Sequence, residues 1–143
     1  MDHEATPQLS ARTGSIIHVA LIGAILSTVI VLGSVRSLIS FALLDEAELL
    51  IRLIGGVVLV ASLVLVRLVR SGVIPRQQGQ DRNSWWAANG GRVLVIWALA
   101  DAVAMCGTVF WFLTGDPVLL ALTVFGSLLL MLNRPGRLMT NDD

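Results

Sequence analysis

Four long apolar runs constrain this chain more than any other feature of its sequence. They cover residues 15–33, 49–66, 93–113 and 117–132. A helix needs roughly 17 to 25 mostly apolar residues to cross a bilayer, whose interior admits only helices and closed barrels because backbone polar groups must be paired there. The last run is the shortest, and it fits a steep helix or a locally thinned bilayer. The sequence therefore predicts an all-α integral membrane protein, a small left-handed bundle of four transmembrane helices within residues 15–133.

The composition indicates the same class. Hydrophobic residues make up 55% of the chain, only 14% of its residues are charged, and the mean hydropathy is +0.81. An average soluble domain carries roughly 25% charged residues. The formal net charge is zero, so no overall field attracts nucleic acid. We therefore expect the lipid bilayer to surround the protein, and we expect no nucleic-acid partner.

The arginines predict the orientation. All ten basic residues are arginine, and eight of them fall on one side of the predicted membrane. These eight are Arg12, Arg67, Arg70, Arg76, Arg82, Arg92, Arg134 and Arg137. Arg36 and Arg52 fall on the other side, which also carries four acidic residues. The acidic residues are Asp45, Glu46, Glu48 and Asp116.

Because segments rich in arginine stay in the cytoplasm, the N-terminal tail 1–14, the basic loop 67–92 and the C-terminal tail 134–143 are expected there. No small-residue cleavage site clearly follows the first apolar run, so we expect a retained helix and not a removed signal peptide. The predicted location is the cytoplasmic (inner) membrane of a bacterium, as a multi-pass protein with both termini cytoplasmic.

Local signals agree with the ends of two apolar runs. Asp45 followed by Glu48 resembles a capping box ahead of the second run. Asp116 followed by Pro117 predicts the start of the last helix, because proline is favoured at the first helical position. The segment 134–136, Arg-Pro-Gly, is expected to end that helix.

Asp101 is an acidic residue near the middle of the third run, about nine residues or 13 Å past Arg92. An ionised group in hydrocarbon costs roughly 2.5 to 3.5 kcal/mol on insertion scales, so such residues face protein, a partner or a proton path. Two interpretations stay open. Asp101 is either a proton-binding group, or a hydrogen-bonded residue that fixes helix packing, with Ser27 or Thr28 of the first run as its partner. Its predicted helix face is buried and contains Trp97, Ala98, Ala104, Met105 and Thr108.

Other side chains fit structural roles. Arg67 and Arg70 end the second run and are candidates for contact with anionic lipid. Arg52 is expected to pair with Glu48 one helical turn away. Trp85 and Trp86 are interpreted mainly as anchors in the headgroup layer, with partner recognition as the alternative. The glycines permit close helix contacts but form no strict small-xxx-small pair.

The sequence offers no pattern for catalysis or metal binding. His3, His18 and Cys106 are scattered and lack the spacing of metal ligands. Serine and threonine are present without a base in any recognisable motif, so nucleophilic catalysis is not expected. We therefore predict no enzyme activity, no metal and no cofactor.

The residues around Asp101 carry a resemblance. The run Ala-Leu-Ala-Asp-Ala-Val-Ala-Met at 98–105, followed by Gly107, resembles the carboxylate helix of rotary ATP synthase c subunits. In that family an acidic residue followed by alanine carries the translocated proton, and Asp101 matches it. The second run lacks the repeated Gly-x-Gly pattern of those subunits, and two further helices flank the hairpin. The resemblance therefore implies proton binding at Asp101 and not a ring subunit.

Most of the chain also resembles a family of uncharacterised four-helix bacterial membrane proteins, which end with a basic Arg-Pro segment after the last span. That resemblance implies no activity. From these features we expect a non-enzymatic accessory or structural subunit of a larger membrane complex, bound to other membrane subunits or to copies of itself. The alternative is a proton-binding or small transporter-like protein that works through Asp101. A third interpretation is a protein that only orders lipid or anchors a complex.

Overall fold

The computed structural model describes residues 10–38 and 47–140, and that part of the chain is helical with no strands. Three long helices and one shorter helix form the bundle, and a five-residue helix follows it. The helices are α1 (Ala11–Leu38), α2 (Glu48–Ser71), α3 (Arg82–Thr114), α4 (Leu120–Leu132) and α5 (Pro135–Met139). A single 3-10 turn, Pro117–Leu119, leads into α4.

Three helices are long and apolar enough to cross a membrane, namely α1, α2 and α3. This confirms the all-helical fold of the described residues, with three helices that could span a membrane. The apolar segment Pro117–Leu132 is shorter, so the fourth span stays a prediction. The helices α1 and α3 have 28 and 33 residues, and at 1.5 Å per residue both are longer than a hydrocarbon core of about 30 Å.

The connection between α2 and α3 is shorter than the basic loop 67–92 expected from the sequence. α2 continues to Ser71 and α3 begins at Arg82. Asp81 is the reason for the early start, because its carboxylate accepts hydrogen bonds from the backbone N–H groups of Asn83 and Ser84 at 2.9 and 3.3 Å. Such a cap satisfies donors that a helix start leaves unpaired. The first turns of α3 therefore extend beyond the apolar run.

α3 is the central helix of the bundle and packs against α1, α2 and α4. Its fully buried side chains include Val93, Ile96, Trp97 and Val103. α1 is much less covered, since only Gly14, His18 and Ile25 are buried in it. The structure is thus organised around one helix, with α1 and α2 presenting most of their apolar surface outward.

Two glycines let α3 and α4 approach closely. A Cβ atom added to Gly107 would lie 2.5 Å from the Thr123 backbone nitrogen, and one added to Gly126 would collide with the backbone of Ala100 and Ala104. Each glycine therefore faces the backbone of the other helix. The sequence pattern had indicated close contacts without naming a pair, and the structure assigns Gly107 and Gly126 to this contact.

The turn between α3 and α4 depends on Gly115 and Asp116. Gly115 has a φ of 79°, the left-handed conformation that favours glycine at a helix C-terminus. The Asp116 carboxylate accepts a hydrogen bond from Val118 N at 3.0 Å, and Pro117 opens the following turn. This confirms the predicted helix start. Glu48 is the first residue of α2, but its N-cap Ala47 makes no side-chain cap bond, and Asp45 lies outside the described residues.

Candidate functional site

Asp101 lies in the middle of α3 on a half-buried position. Its Oδ1 atom is buried and has no hydrogen-bond partner within residues 10–38 and 47–140. Trp97, Ala104 and Thr108 of the predicted face are fully buried, whereas Ala98 is exposed. The carboxylate thus lies at the border between the packed side of α3 and its open side.

Ser27 and Thr28 of α1 are the two hydroxyl residues that were predicted to bond to Asp101. Ser27 is exposed and donates to the carbonyls of Gly23 and Ala24 in its own helix, at 2.8 and 3.0 Å. A serine within a helix commonly bonds back in this way. Thr28 lines a shallow groove along α1 beside Ser27. Asp101 Oδ1 has no partner among the described residues, so neither Ser27 nor Thr28 bonds to that atom.

Thr108 bonds to α4. Its Oγ1 atom is 3.0 Å from Oγ1 of Thr123, and both hydroxyls approach the Ala104 carbonyl, at 3.0 and 3.2 Å. Both threonines are buried. These hydrogen bonds therefore hold α3 and α4 together and do not involve Asp101. Sequence reasoning missed Thr123, because no local signal pairs two residues that belong to different helices.

An aromatic cluster lies near the first turns of α3. The ring of His18 is 4.8 Å from that of Trp97, Trp97 is 5.8 Å from Trp86, and Trp86 is 5.5 Å from Trp85. Trp85 and Trp86 are each only 1% exposed. The interpretation of these two residues as headgroup anchors is therefore wrong.

The longer α3 places both side chains inside the bundle, and Trp85 is also hydrogen-bonded there. Trp85 Nε1 donates to the Ile74 carbonyl, and Trp97 Nε1 donates to the Asn133 carbonyl, each at 2.7 Å. The polar edges of Trp85 and Trp97 are thus satisfied inside the protein, so Trp85 does not need the wet headgroup layer. Three residues around Trp97 still keep a buried polar atom without a partner in the described chain: His18 Nδ1, Trp86 Nε1 and Asn133 Oδ1.

Two clefts lined by arginine lie at the end of the bundle where α2 ends and α3 begins. Arg67 and Arg70 share a cleft of about 480 Å³ with Arg137. A neighbouring cleft of about 780 Å³ contains three other arginines. These are Arg12, Arg76 and Arg82.

Pro75 and Thr140 border both clefts. A backbone hydrogen bond from Arg76 N to the Met139 carbonyl, 3.1 Å long, ties the loop before α3 to α5 between them. Arg137 therefore joins Arg67 and Arg70, the two predicted lipid-contact residues, in one cleft. The neighbouring cleft holds a second group of three arginines. Sequence spacing could not show either group, since α2 and α5 supply the first three arginines and α1, the loop and α3 supply the second three.

The opposite end of the bundle holds an ion-pair network. Arg52 lies 2.5 Å from Glu48, which confirms the predicted pair, and its Nε donates to Asp116 at 2.6 Å. Asp116 is buried, and the hydrogen bond from Arg52 holds the pKa of that carboxyl below its ordinary value. Arg36 donates to the Phe112 carbonyl at 3.0 Å. This network fixes α2 to the turn before α4.

The described residues bring together no group of three or more His, Cys, Asp or Glu side chains that could hold a metal ion. Cys106 is free and half-buried in α3. His3 lies outside the described residues. Comparisons with protein-family models, curated proteins and solved structures found no match, so Asp101 and the arginine clefts are interpreted from their own geometry.

Proposed function

We propose that this chain is a four-span protein of the bacterial cytoplasmic membrane with both termini in the cytoplasm. The arginine clefts support the orientation, because six arginines lie around them at one end of the bundle. At the other end, Arg52 pairs with Glu48 and Asp116, and Arg36 donates to a backbone carbonyl. The segment Pro117–Leu132 would then cross as a short fourth span, with the bilayer thinned locally around it.

Within that membrane, the proposed role is a non-enzymatic accessory or structural subunit of a larger assembly. The observation that carries this proposal is the buried Oδ1 of Asp101, which has no partner in the described chain. A buried acceptor left unpaired costs about 1 to 3 kcal/mol, and more when the group is charged. A donor from a neighbouring polypeptide would remove that cost.

The surface beside Asp101 suits such a neighbour. Ala98 and Ala102 are exposed on α3, one turn apart, next to the carboxylate. Small residues allow another helix to approach closely, and close contact is what drives helix association in lipid. In such a contact, Asp101 would form the hydrogen bond, and Ala98 and Ala102 would pack against the neighbouring helix.

Purification from the native membrane in mild detergent tests this role. We expect an intact particle whose mass includes other polypeptides at a fixed ratio. Asp101→Val removes both carboxylate oxygens and should release the partners, whereas Asp101→Asn keeps an acceptor and should retain them. Val57→Ala, a change at an exposed position of α2 and not on α3, serves as the control. A wild-type particle that contains this chain alone would contradict the proposal.

Proton binding at Asp101 is the second candidate function. The same unpartnered oxygen favours it, because a carboxyl group without a fixed donor is able to take up and release a proton. This proposal is also the one that the resemblance to c subunits implies. It predicts pH-dependent labelling of Asp101 by a carbodiimide, abolished in a folded Asp101→Asn variant. A labelled wild type that exists alone would favour proton binding, and an unlabelled assembly would favour the accessory role.

A further inference from the structure

Three separate parts of the chain supply the arginines of the larger cleft. Arg12 comes from the first turn of α1, Arg76 from the loop before α3, and Arg82 from the first residue of α3. The start of α5 closes the remaining side through Pro135 and Gly136. A cavity of about 780 Å³ is left between them. Folding therefore brings Arg12 into one cleft with Arg76 and Arg82, which belong to a distant part of the sequence.

No carboxylate within residues 10–38 and 47–140 neutralises these three arginines. Glu48 and Asp116 pair with Arg52 at the opposite end of the bundle. Asp81 is adjacent to Arg82 in sequence, but its carboxylate caps α3. All three arginine side chains are exposed. With Asp81 as the one carboxylate beside these arginines in the sequence of the described part, the cleft keeps an excess of positive charge.

A buried donor also lines the cleft. Trp86 is 1% exposed and borders the cavity, and its Nε1 atom has no acceptor in the described chain. Its benzene ring lies against Gly14, where an added Cβ would come within 2.6 Å of the Trp86 Cζ2 atom. The indole is therefore held in place by α1, and it gives the cleft a rigid wall beside the three arginines.

We propose that this cleft binds the phosphate group of an anionic membrane lipid. Arginine presents several N–H groups in a fork that matches phosphate oxygens, and charge-assisted bonds of this kind are stronger than neutral ones. Basic pockets at the cytoplasmic ends of membrane helices are suited to lipid headgroups.

The surface next to the cleft identifies lipid as the source of the phosphate. Ser15 lines the cavity, and the next residue along α1, Ile16, is 60% exposed. Val19, one turn further, is 68% exposed. A headgroup in the cleft would therefore continue directly into acyl chains lying on the apolar surface of α1. A free phosphate would gain nothing from that surface.

If binding came only from general attraction to an anionic surface, arginines inside and outside the cleft would contribute equally. Two arginines outside the clefts therefore provide a matched control. Arg92 and Arg134 lie at the same end of the bundle and are exposed, but neither lines either cleft. The variants Arg76→Gln/Arg82→Gln and Arg92→Gln/Arg134→Gln each remove two positive charges from that end. If only surface charge matters, the two double variants lose binding equally.

The experiment titrates the purified full chain in neutral detergent with phosphatidylglycerol, with phosphatidylcholine in a parallel series, and counts bound lipid by native mass spectrometry. We expect the cleft variant to bind phosphatidylglycerol roughly tenfold more weakly than wild type, and the control variant to stay within about twofold. The single variant Arg12→Gln, on a different element, should weaken binding in the same direction. Circular dichroism verifies the helix content of every variant.

Equal losses in the two double variants would overturn the proposal, as would equal binding of phosphatidylcholine and phosphatidylglycerol by wild type. A titration with inorganic phosphate in the same detergent tests the source. We expect no competition at concentrations that saturate the lipid site. Phosphate that displaces the lipid at those concentrations would overturn the assignment to a headgroup. Neither outcome depends on whether Asp101 docks a partner.

Discussion

Asp116 shows how a single buried carboxylate can make this bundle sensitive to acid. It receives a 2.6 Å hydrogen bond from Arg52 and accepts another from Val118 N. Because the Arg52 hydrogen bond lowers the pKa of Asp116 from its ordinary value of 3.8, the folded state holds the ionised form more tightly than the unfolded state does. The stability that this provides is present above the ordinary pKa and is lost as the pH falls through the lowered one.

Replacement of Asp116 by Asn should therefore act in two ways. At pH 7 we expect a lower thermal midpoint in detergent, since a buried partner of Arg52 loses its charge. Below about pH 4, where wild type loses stability as Asp116 protonates, the stability of the variant should change less steeply with pH. Thermal unfolding followed by circular dichroism at several pH values measures both effects.

Glu48→Gln is the matched control for that measurement. Glu48 pairs with the same arginine, but its side chain is 39% exposed, and exposed ion pairs contribute little. We expect its unfolding midpoint to stay close to that of wild type at pH 7. If Asp116→Asn and wild type followed the same curve throughout the acid range, the acid sensitivity would have to come from other groups.

At the level of the helices, the contact between α3 and α4 is the most closely packed in the bundle. Gly107 and Gly126 each leave no room for a Cβ atom, and apart from the Thr123 hydroxyl the atoms in the way are backbone or Cβ atoms of the opposite helix. Backbone cannot rotate aside as a flexible side chain can, so a larger residue must push the helices apart. Thr108 and Thr123 bond across the same contact, and separation of the helices would weaken that bond as well.

Gly126→Ala should accordingly destabilise the protein by roughly 1 to 3 kcal/mol, the usual cost of overpacking. The same substitution at Gly23 of α1 makes an internal comparison, because a Cβ there meets nothing within 4 Å. Unfolding in mixed micelles with increasing dodecyl sulfate compares the two. We expect Gly23→Ala to match or slightly exceed wild type. Similar stability of both variants would show that α3 and α4 are less tightly packed than the structure indicates.

The helices also show which features the sequence could reveal. Apolar length predicted the three long helices, and the spacing of Glu48 and Arg52 predicted their ion pair, because both signals are local. Asp116 is 64 residues from Arg52, and Thr123 belongs to a different helix from Thr108, so neither contact has a local signature. Trp85 and Trp86 were misjudged because hydropathy locates the apolar run of α3 but does not show that the helix starts at Arg82.

The whole molecule has two chemically different ends. One end carries the two arginine clefts, and the other carries the pair of Arg52 with Glu48 and Asp116. The proposed orientation assigns the arginine end to the cytoplasm, because basic segments are retained there. The four-span proposal further requires the loop after α2 and the end of α1 to lie on opposite sides of the membrane.

Thiol labelling in intact cells checks that arrangement. Cys106→Ala removes the native thiol, and single cysteines then replace Ser37, exposed at the end of α1, or Gln78, exposed in the loop before α3. We expect a membrane-impermeant maleimide to label Ser37→Cys in intact cells and Gln78→Cys only after permeabilisation. Labelling of Gln78→Cys in intact cells would reverse the orientation, and labelling of both would contradict the four-span topology.

The central position of α3 has a consequence for biosynthesis. α1 and α2 leave the ribosome first, yet the helix that both of them pack against follows only at Arg82–Thr114. Until α3 has been inserted, the nascent chain holds two membrane helices that lack their principal packing partner. The tertiary structure therefore forms late, when the second half of the chain enters the bilayer. A chain stopped after Ser71 would be expected to be removed by membrane proteases.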